Sequence, residues 1–406
     1  MGAEMINIAV LGYGTVGSGV VEVIEKNKDV IDKRAGEEIY VKYILDLRDF
    51  PGDPYQDRVV HDYQVILNDP SVSIICETMG GNEPAFTFSM QALKAGKSVC
   101  TSNKELVANH GAELIRTARE HDCNYLFEAS VGGGIPIIRP INAALTAERI
   151  ELICGILNGT TNYILTKMAE EGTDFAACLK EAQEKGYAER NPEADVEGYD
   201  ACRKIAILAS LMTGKTARYE EIYTEGITKI TREDFLYAAK MKKTIKLLAS
   251  ARQVDDKYYA MVAPFLVGEE NPLHSVNDVF NAIFIRGNTL GDSMYYGRGA
   301  GKLPTASAVV SDVIDCAKHE KTHIVCLWEE EKLCLQSIEE ASGRFFVRVR
   351  QGSEEAVERL FGEVERVDAG VAGEFGFITG RMTEGEFARR TADLEGFIGR
   401  IRVDED

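Results

Sequence analysis

The chain has 406 residues, 45% of them hydrophobic and 27% charged, enough apolar side chains to bury two or three cores and too many for a disordered protein. Its formal net charge of -19 repels phosphate backbones and anionic lipid surfaces, so neither nucleic acid nor a membrane is an expected partner. No uninterrupted apolar run approaches the ~18 residues that a membrane-spanning helix needs.

The first apolar run, Ile6–Leu11, reads as a strand that leads directly into a glycine turn. No basic cluster precedes it, so a secretory leader is not expected and the location is expected to be cytoplasmic. Further strand-like runs follow at Ile39–Leu45, Ser73–Cys76, Ser98–Thr101 and Tyr125–Glu128. Between them lie helical patterns with apolar residues three and four apart, such as Val16, Val20, Val23, Ile24 and then Leu106, Leu114, Ile115. The helix beginning near Val16 is expected to run to about Ala35, where Gly36 would cap it. This alternation predicts a mostly parallel sheet covered by helices on both faces over residues 1–147.

The middle of the chain, 148–325, changes character. A strand at Ile150–Leu157 is followed by helices at Ala201–Met212 and Arg232–Ala251, strands at Tyr258–Val267 and Ala282–Arg286, and a helix at Thr305–Lys318. That is an α+β unit with helices against one face of a sheet. The acidic run Glu329-Glu330-Glu331 reads as a solvated connection. Residues 343–406 then give strand Arg344–Arg350, helix Ser353–Val364, strands Arg366–Val371 and Glu374–Arg381, helix Thr383–Leu394 and strand Ile398–Val403. The order β-α-β-β-α-β is that of a ferredoxin-like module. The nine cysteines carry no CxxC pair and sit mostly in apolar runs such as Ile74-Ile75-Cys76, which suits buried thiols.

Gly12-Tyr13-Gly14-Thr15-Val16-Gly17 is a GxGxxG between a strand and a helix. The first glycine permits a tight turn, the second lets a pyrophosphate approach the backbone, and the third allows close helix–strand packing. The helix N-terminus adds unpaired N–H groups and partial positive charge. In this β-α-β setting the motif predicts a Rossmann domain for NAD or NADP. Asp46, at the end of the second strand, suits a ribose 2′-hydroxyl, whereas Arg48 suits a 2′-phosphate, and the choice between coenzymes stays open.

Hydride transfer to a carbonyl needs a proton donor, and none of the six histidines has a suggestive setting. Gly186-Tyr187-Ala188-Glu189, followed by Asp195, Asp200 and Lys204, is more informative. Asp200 and Lys204 are four apart on one helix face. Alone they would be an ordinary surface ion pair worth under ~1 kcal/mol, but three carboxylates around a lysine suit a substrate that carries an ammonium.

With these pieces the sequence resembles the homoserine dehydrogenases over nearly its whole length. The matching segments are Gly12 to Val20, Thr101-Ser102-Asn103-Lys104, Glu128 to Pro136, Gly155 to Tyr163, Glu189 to Lys204, and Gly297 to Ala308. The resemblance implies reversible NAD(P)H-dependent reduction of L-aspartate 4-semialdehyde to L-homoserine. It also implies an architecture of Rossmann domain, α+β catalytic and dimerisation domain, and C-terminal ACT-like domain, in a homodimer or homotetramer. Lys204 matches the family's proposed proton donor, Lys104 a second lysine near nicotinamide and substrate, and Asp200 an acidic residue implicated in catalysis. Glu189 and Asp195 match the residues that hold the substrate amino group, and backbone N–H groups near Gly159 and Thr160 would take its carboxylate. Glu128, Val131, Gly133 and Ile135 match a loop whose backbone carbonyls bind Na⁺ or K⁺. In the C-terminal module, the Asp-x-Pro-Gly turn common to ACT domains is replaced by Gln351-Gly352-Ser353-Glu354. Threonine as an effector and a purely oligomerising module are both left open.

Other motifs point elsewhere. His319-Glu320-Lys321-Thr322-His323 has the spacing of a zinc-hydrolase helix, the reading from a different class. Thr213-Gly214-Lys215-Thr216 has the end of a P-loop, but Ala209 stands where its first glycine belongs. Asn158-Gly159-Thr160 is formally a glycosylation sequon, without meaning in a protein that is not secreted. An aspartate-semialdehyde dehydrogenase would need an activated cysteine, and no cysteine here has the setting. A non-catalytic sensor would have no use for Lys104, Glu189, Asp195, Asp200 and Lys204 together.

Overall fold

In the computed structural model, which describes residues 5–405, the first apolar run forms β1 (Met5–Leu11), followed by β2 (Glu38–Leu45), β3 (Val59–Val60), β4 (Val72–Glu77), β5 (Ser98–Thr101) and β6 (Tyr125–Leu126). Every pairing among them is parallel, in the order β3-β2-β1-β4-β5-β6. Strands in such a sheet are buried on both faces, which is why β1, β4 and β5 read as apolar runs without alternation. The order reverses between β1 and β4, the switch point at which open α/β sheets bind their ligands.

Helices α1 (Thr15–Lys26), α2 (Lys28–Ala35), α3 (Ala85–Lys94) and α4 (Lys104–Glu120) cover this sheet. The single helix expected from Val16 to Ala35 is broken at Asn27, which takes φ -114° and ψ 25°. Asparagine competes for the backbone and favours helix ends, and no buried residue lies between Ile24 and Ile31 to hold one straight axis. Gly36 ends α2 in the left-handed region, as expected. The strand expected over Tyr125–Glu128 stops at Leu126, and a short 3₁₀ turn takes Glu128–Ser130.

This first compact unit comprises the chain up to Glu148 together with 206–219 and 295–333, so it is discontinuous in sequence. The helix Lys302–Lys318 packs on α1 at Gly19, where an added Cβ would lie 2.9 Å from the Lys302 carbonyl and 3.0 Å from the Ala306 Cβ. Its Ala306, Val309, Val310 and Val313 share one core with Val20, Val23 and Ile24. The acidic run is a strand rather than a plain connection: Glu329–Lys332 pairs in parallel with Lys215–Thr216 while its side chains stay exposed. Lys215 holds Glu331 at 2.6 Å and Arg116 holds Glu330 at 2.9 Å. Trp328 anchors it, fitting over Gly111 where a Cβ would come within 2.7 Å of the indole.

The second unit, 149–205, 220–294 and 334–405, is built on a mixed sheet. The strands of that sheet are β7 (Ile150–Ile156), β8 (Lys243–Val254), β9 (Lys257–Gly268), β10 (Phe280–Gly287), β11 (Gly291–Arg298, which leaves the unit after Met294), β12 (Ser342–Arg350), β13 (Glu365–Val367), β14 (Glu374–Ile378) and β15 (Phe397–Val403). They run in the order β11-β10-β7-β8-β9-β15-β12-β14-β13. The helix expected over Arg232–Ala251 ends at Lys240, and β8 begins at Lys243. Ile245 to Ala249 are buried in succession, and a strand buried on both faces has no alternation to distinguish it from a buried helix. Strand β11, with Met294 and Tyr296 exposed, was not expected from the sequence.

The C-terminal module has the expected β-α-β-β-α-β order. Its four strands lie in the spatial order fourth, first, third, second, all antiparallel neighbours, the split-βαβ arrangement. Parallel pairing of β15 with β9 at Phe265–Arg402 and Leu266–Val403 joins the module to the central strands. Among the described residues no helix is long and apolar enough to cross a membrane.

Candidate active site

At the end of β1, Gly12 takes φ +91°, a conformation that only glycine adopts freely. A Cβ on Gly17 would lie 1.9 Å from the Gly12 carbonyl oxygen, whereas one on Gly14 would meet nothing within 4 Å. The three glycines thus divide into a turn, an open approach and a tight contact, as a pyrophosphate loop requires. Helix α1 starts at Thr15 with no side-chain cap, which leaves its first N–H groups directed at the opening. Tyr13 is buried and donates its backbone N–H to Asp46 Oδ2 at 2.9 Å.

Asp46 and Arg48 meet at the end of β2. The Arg48 guanidinium donates to both Asp46 oxygens, at 3.0 and 3.2 Å, and lies over the Phe50 ring. The bond from Arg48 is the main reason that the Asp46 carboxyl is held down at about 2. The two residues that argued for different coenzymes are therefore one ion pair, with the arginine outermost at 65% side-chain exposure. In the same unit, Lys104 opens α4 behind the cap Asn103, whose Oδ1 accepts from Leu106 N at 3.1 Å and whose amide donates to the Gly81 carbonyl at 2.7 Å. Glu77, which the sequence reading missed, is fully buried beneath and accepts from Thr101 Oγ1 at 2.6 Å and Met79 N at 2.8 Å. Burial raises its carboxyl.

The turn after β6 is organised by the Glu128 side chain. Its carboxylate accepts from the N–H groups of Ile137, Ile138 and Arg139 at 2.5, 2.9 and 2.7 Å. Its own N–H donates to buried Asp312 at 2.9 Å, and Arg139 bridges Asp312 and Asp315, each at 2.8 Å. Val131, Gly133 and Ile135 are buried on this turn, with Gly133 at φ +57° against the Gly299 carbonyl. Glu128, Val131, Gly133 and Ile135 thus lie on one short loop.

In the second unit, α5 (Gly159–Glu171) begins immediately after β7, and the first half of α6 (Tyr199–Thr213), up to Ile205, passes close to that junction. Asn158 is the hub. Its Oδ1 caps α5 by accepting from Thr161 N at 2.9 Å, and its Nδ2 donates to Asp195 at 2.7 Å and to Asp200 at 2.9 Å. Lys204 donates to Asp200 at 2.7 Å and to the Leu157 carbonyl at 2.8 Å. Asp200 and Lys204 are only 5% and 8% exposed, so the surface-ion-pair reading is set aside. An ammonium has three N–H bonds, and two of those on Lys204 are committed. Thr160 Oγ1 reaches the Tyr187 carbonyl at 2.6 Å, drawing the Gly186–Glu189 segment to the start of α5. The structure brings Gly159, Thr160, Asp195, Asp200 and Lys204 together, while the Glu189 side chain is exposed.

Two further features escaped the sequence reading. Asn158 reads in sequence as part of a sequon and of the matching segment Gly155 to Tyr163, with no role of its own, although an asparagine directly before Gly-Thr-Thr at the end of a strand is a helix-cap signal. Lys246, on β8, is 1% exposed, and burial lowers its ammonium to about 8. The zinc spacing of His319 and His323 is not realised: the helix ends at Lys318, Lys321 takes φ +55°, and the two rings bond the carbonyls of Asp315 and Cys123. Among the described residues no group of three or more His, Cys, Asp and Glu side chains is placed to hold a metal ion.

Comparison with known proteins agrees with these features. The homoserine dehydrogenase family matches residues 136–314, and the homoserine dehydrogenase NAD binding domain matches 12–128. A homoserine dehydrogenase of Bacillus subtilis is 41% identical over 323 residues, 78% of this chain and 74% of that one. One of Helicobacter pylori is 39% identical over 356 residues, 87% and 84% of the two chains. The crystal structure of a homoserine dehydrogenase from Thiobacillus denitrificans superposes with a TM-score of 0.90 at 33% identity, covering 99% of both chains. A hyperthermophilic archaeal homoserine dehydrogenase in complex with NADPH gives 0.66 at 29% identity, over 77% of this chain and 97% of that one.

Proposed function

The chain belongs to the homoserine dehydrogenase family, and we propose the following assignment of residues for its reaction, the reversible NAD(P)H-dependent reduction of L-aspartate 4-semialdehyde to L-homoserine. The coenzyme, when bound, supplies the hydride to the aldehyde carbon. Gly12 to Gly17 and the uncapped start of α1 hold its pyrophosphate, and Asp46 with Arg48 holds the adenosine ribose. Glu189 and Asp195 take the substrate ammonium, where a charge pair at ~4 Å gains about 4 kcal/mol at an effective dielectric near 20. The N–H groups of Gly159 and Thr160 take the carboxylate at the positive end of α5.

Lys204 protonates the developing alkoxide. The observation that carries this assignment is its buried ammonium, aligned by Asp200 and the Leu157 carbonyl with one N–H left over. Asp200 orients the lysine, and Lys104, at the start of α4, is assigned as a second lysine for the reaction. Initial rates with aspartate semialdehyde test the assignment, using NADPH and NADH separately with wild type and Lys204→Met. A fall in kcat of roughly 10²–10⁴ is expected for the variant. Undiminished turnover in it would remove Lys204 from the chemistry.

A monovalent cation fits the Glu128 turn. The Glu128 carboxylate is occupied by three N–H groups, which leaves the backbone carbonyls of Glu128, Val131, Gly133 and Ile135 as hard donors for Na⁺ or K⁺. The ion would order this turn. The C-terminal module is assigned as an ACT-like regulatory domain on the strength of its strand order, with threonine as the effector to test, in a cytoplasmic homodimer or homotetramer.

A further inference from the structure

The segment 276–281 forms the seat of the first turn of α5. A Cβ on Gly159 would lie 2.8 Å from the Val279 carbonyl oxygen, so the helix start rests directly on that backbone. Asn162, one turn into α5, donates its amide to the carbonyls of Val276 at 3.1 Å and Phe280 at 3.0 Å. Thr166 accepts from Asp278 N at 3.1 Å and donates to the Asn162 carbonyl at 2.7 Å.

The Lys246 ammonium is placed where these groups converge. It donates to the Val276 carbonyl at 2.5 Å, to Asn277 Oδ1 at 2.8 Å and to Asn162 Oδ1 at 3.3 Å. All three N–H bonds are used, and the Asn162 amide is thereby fixed in one orientation, oxygen toward the lysine and nitrogen toward the seat. The neighbourhood includes the apolar cluster of Leu248, Val267, Leu273 and Val276. An apolar side chain in that setting would be cheaper to bury than an ammonium. What the ammonium adds is direction.

We infer that Lys246 is a positioning residue for the reaction: by locking Asn162 and the 276–281 segment, it sets the Gly159 and Thr160 N–H groups that receive the substrate carboxylate. The inference rests on the carboxylate assignment given above. It is tested by oxidation of homoserine and of 3-aminopropan-1-ol, the same alcohol without its carboxylate, in wild type and Lys246→Met. The KM for homoserine is expected to rise about tenfold, with kcat changed less than twofold and the KM for the coenzyme unchanged. The kcat/KM for 3-aminopropan-1-ol should be the same in both proteins. An unchanged homoserine KM, or an equal loss on both alcohols, overturns the positioning role. If wild type itself uses both alcohols equally well, the carboxylate assignment falls and the inference falls with it. Should Lys246→Met fail to fold, Asn277→Ala removes one acceptor from the partly exposed loop. Its homoserine KM should rise about threefold, and an unchanged value counts against the role equally.

Discussion

Replacing Asn158 by aspartate separates its two jobs. Aspartate is as good a helix cap as asparagine, so the bond to Thr161 N survives, but the amide that donated to Asp195 at 2.7 Å and Asp200 at 2.9 Å becomes a third carboxylate. At ~3 Å and an effective dielectric near 20, each like-charge pair costs about 5 kcal/mol. The folded protein will avoid that by binding a proton. Keeping one carboxyl protonated against a reference value near 3.9 costs about 5 kcal/mol at about pH 7.5 and about 2 kcal/mol at about pH 5.5. The protonated group then donates one hydrogen bond, recovering ~1 kcal/mol, and the Lys204 ammonium 2.7 Å from Asp200 lowers the total without changing its sign. Because the proton is bound in the folded state and not in the unfolded one, stability relative to wild type falls as pH rises. Urea unfolding at the two pH values should therefore show Asn158→Asp losing about 2–3 kcal/mol more at the higher pH, whereas Asn158→Ala loses a similar amount at both. An equal deficit of the aspartate variant at both pH values would refute the placement of this amide between two carboxylates.

Two other outcomes follow from the coenzyme end. Gly17→Ala would put a Cβ 1.9 Å from the Gly12 carbonyl, so the loop must open; coenzyme affinity, read by fluorescence titration, should drop by at least about a hundredfold, ~3 kcal/mol. Arg48→Ala releases the Asp46 oxygens for a ribose hydroxyl and removes the cation available to a 2′-phosphate. The ratio of kcat/KM for NADPH over NADH should fall about tenfold or more, and an unchanged ratio would show that the pair takes no part in coenzyme choice.

What the sequence made legible was local. The roles of Gly12, Gly14 and Gly17 are steric demands of one turn, and the spacing of Asp200 and Lys204 is a property of one helix. The six elements after residue 342 could be ordered because each is short and bounded by polar turns. What stayed hidden depends on partners distant in the chain. The burial that makes the Asp200–Lys204 pair internal comes with Asn158 and Leu157, some forty positions earlier. The strand nature of Lys243–Val254 is dictated by β7 and β9, and the role of Lys246 by a loop thirty positions on. Arg48 was read as a competitor of Asp46 because no sequence pattern says that two such residues will pair with each other.

The helix Lys302–Lys318 also bears on how this protein is made. A ribosome finishes the coenzyme loop and α1 early, yet Ala306, Val309 and Val313, which share the core of Val20, Val23 and Ile24, emerge only when three-quarters of the chain has been synthesised. Through that interval the nascent chain carries an uncovered apolar stripe beside its glycine loop, and domains fold as units only once their parts exist. A fragment cut after β6 would take the same stripe into solution. It should aggregate where a self-contained nucleotide-binding domain would not.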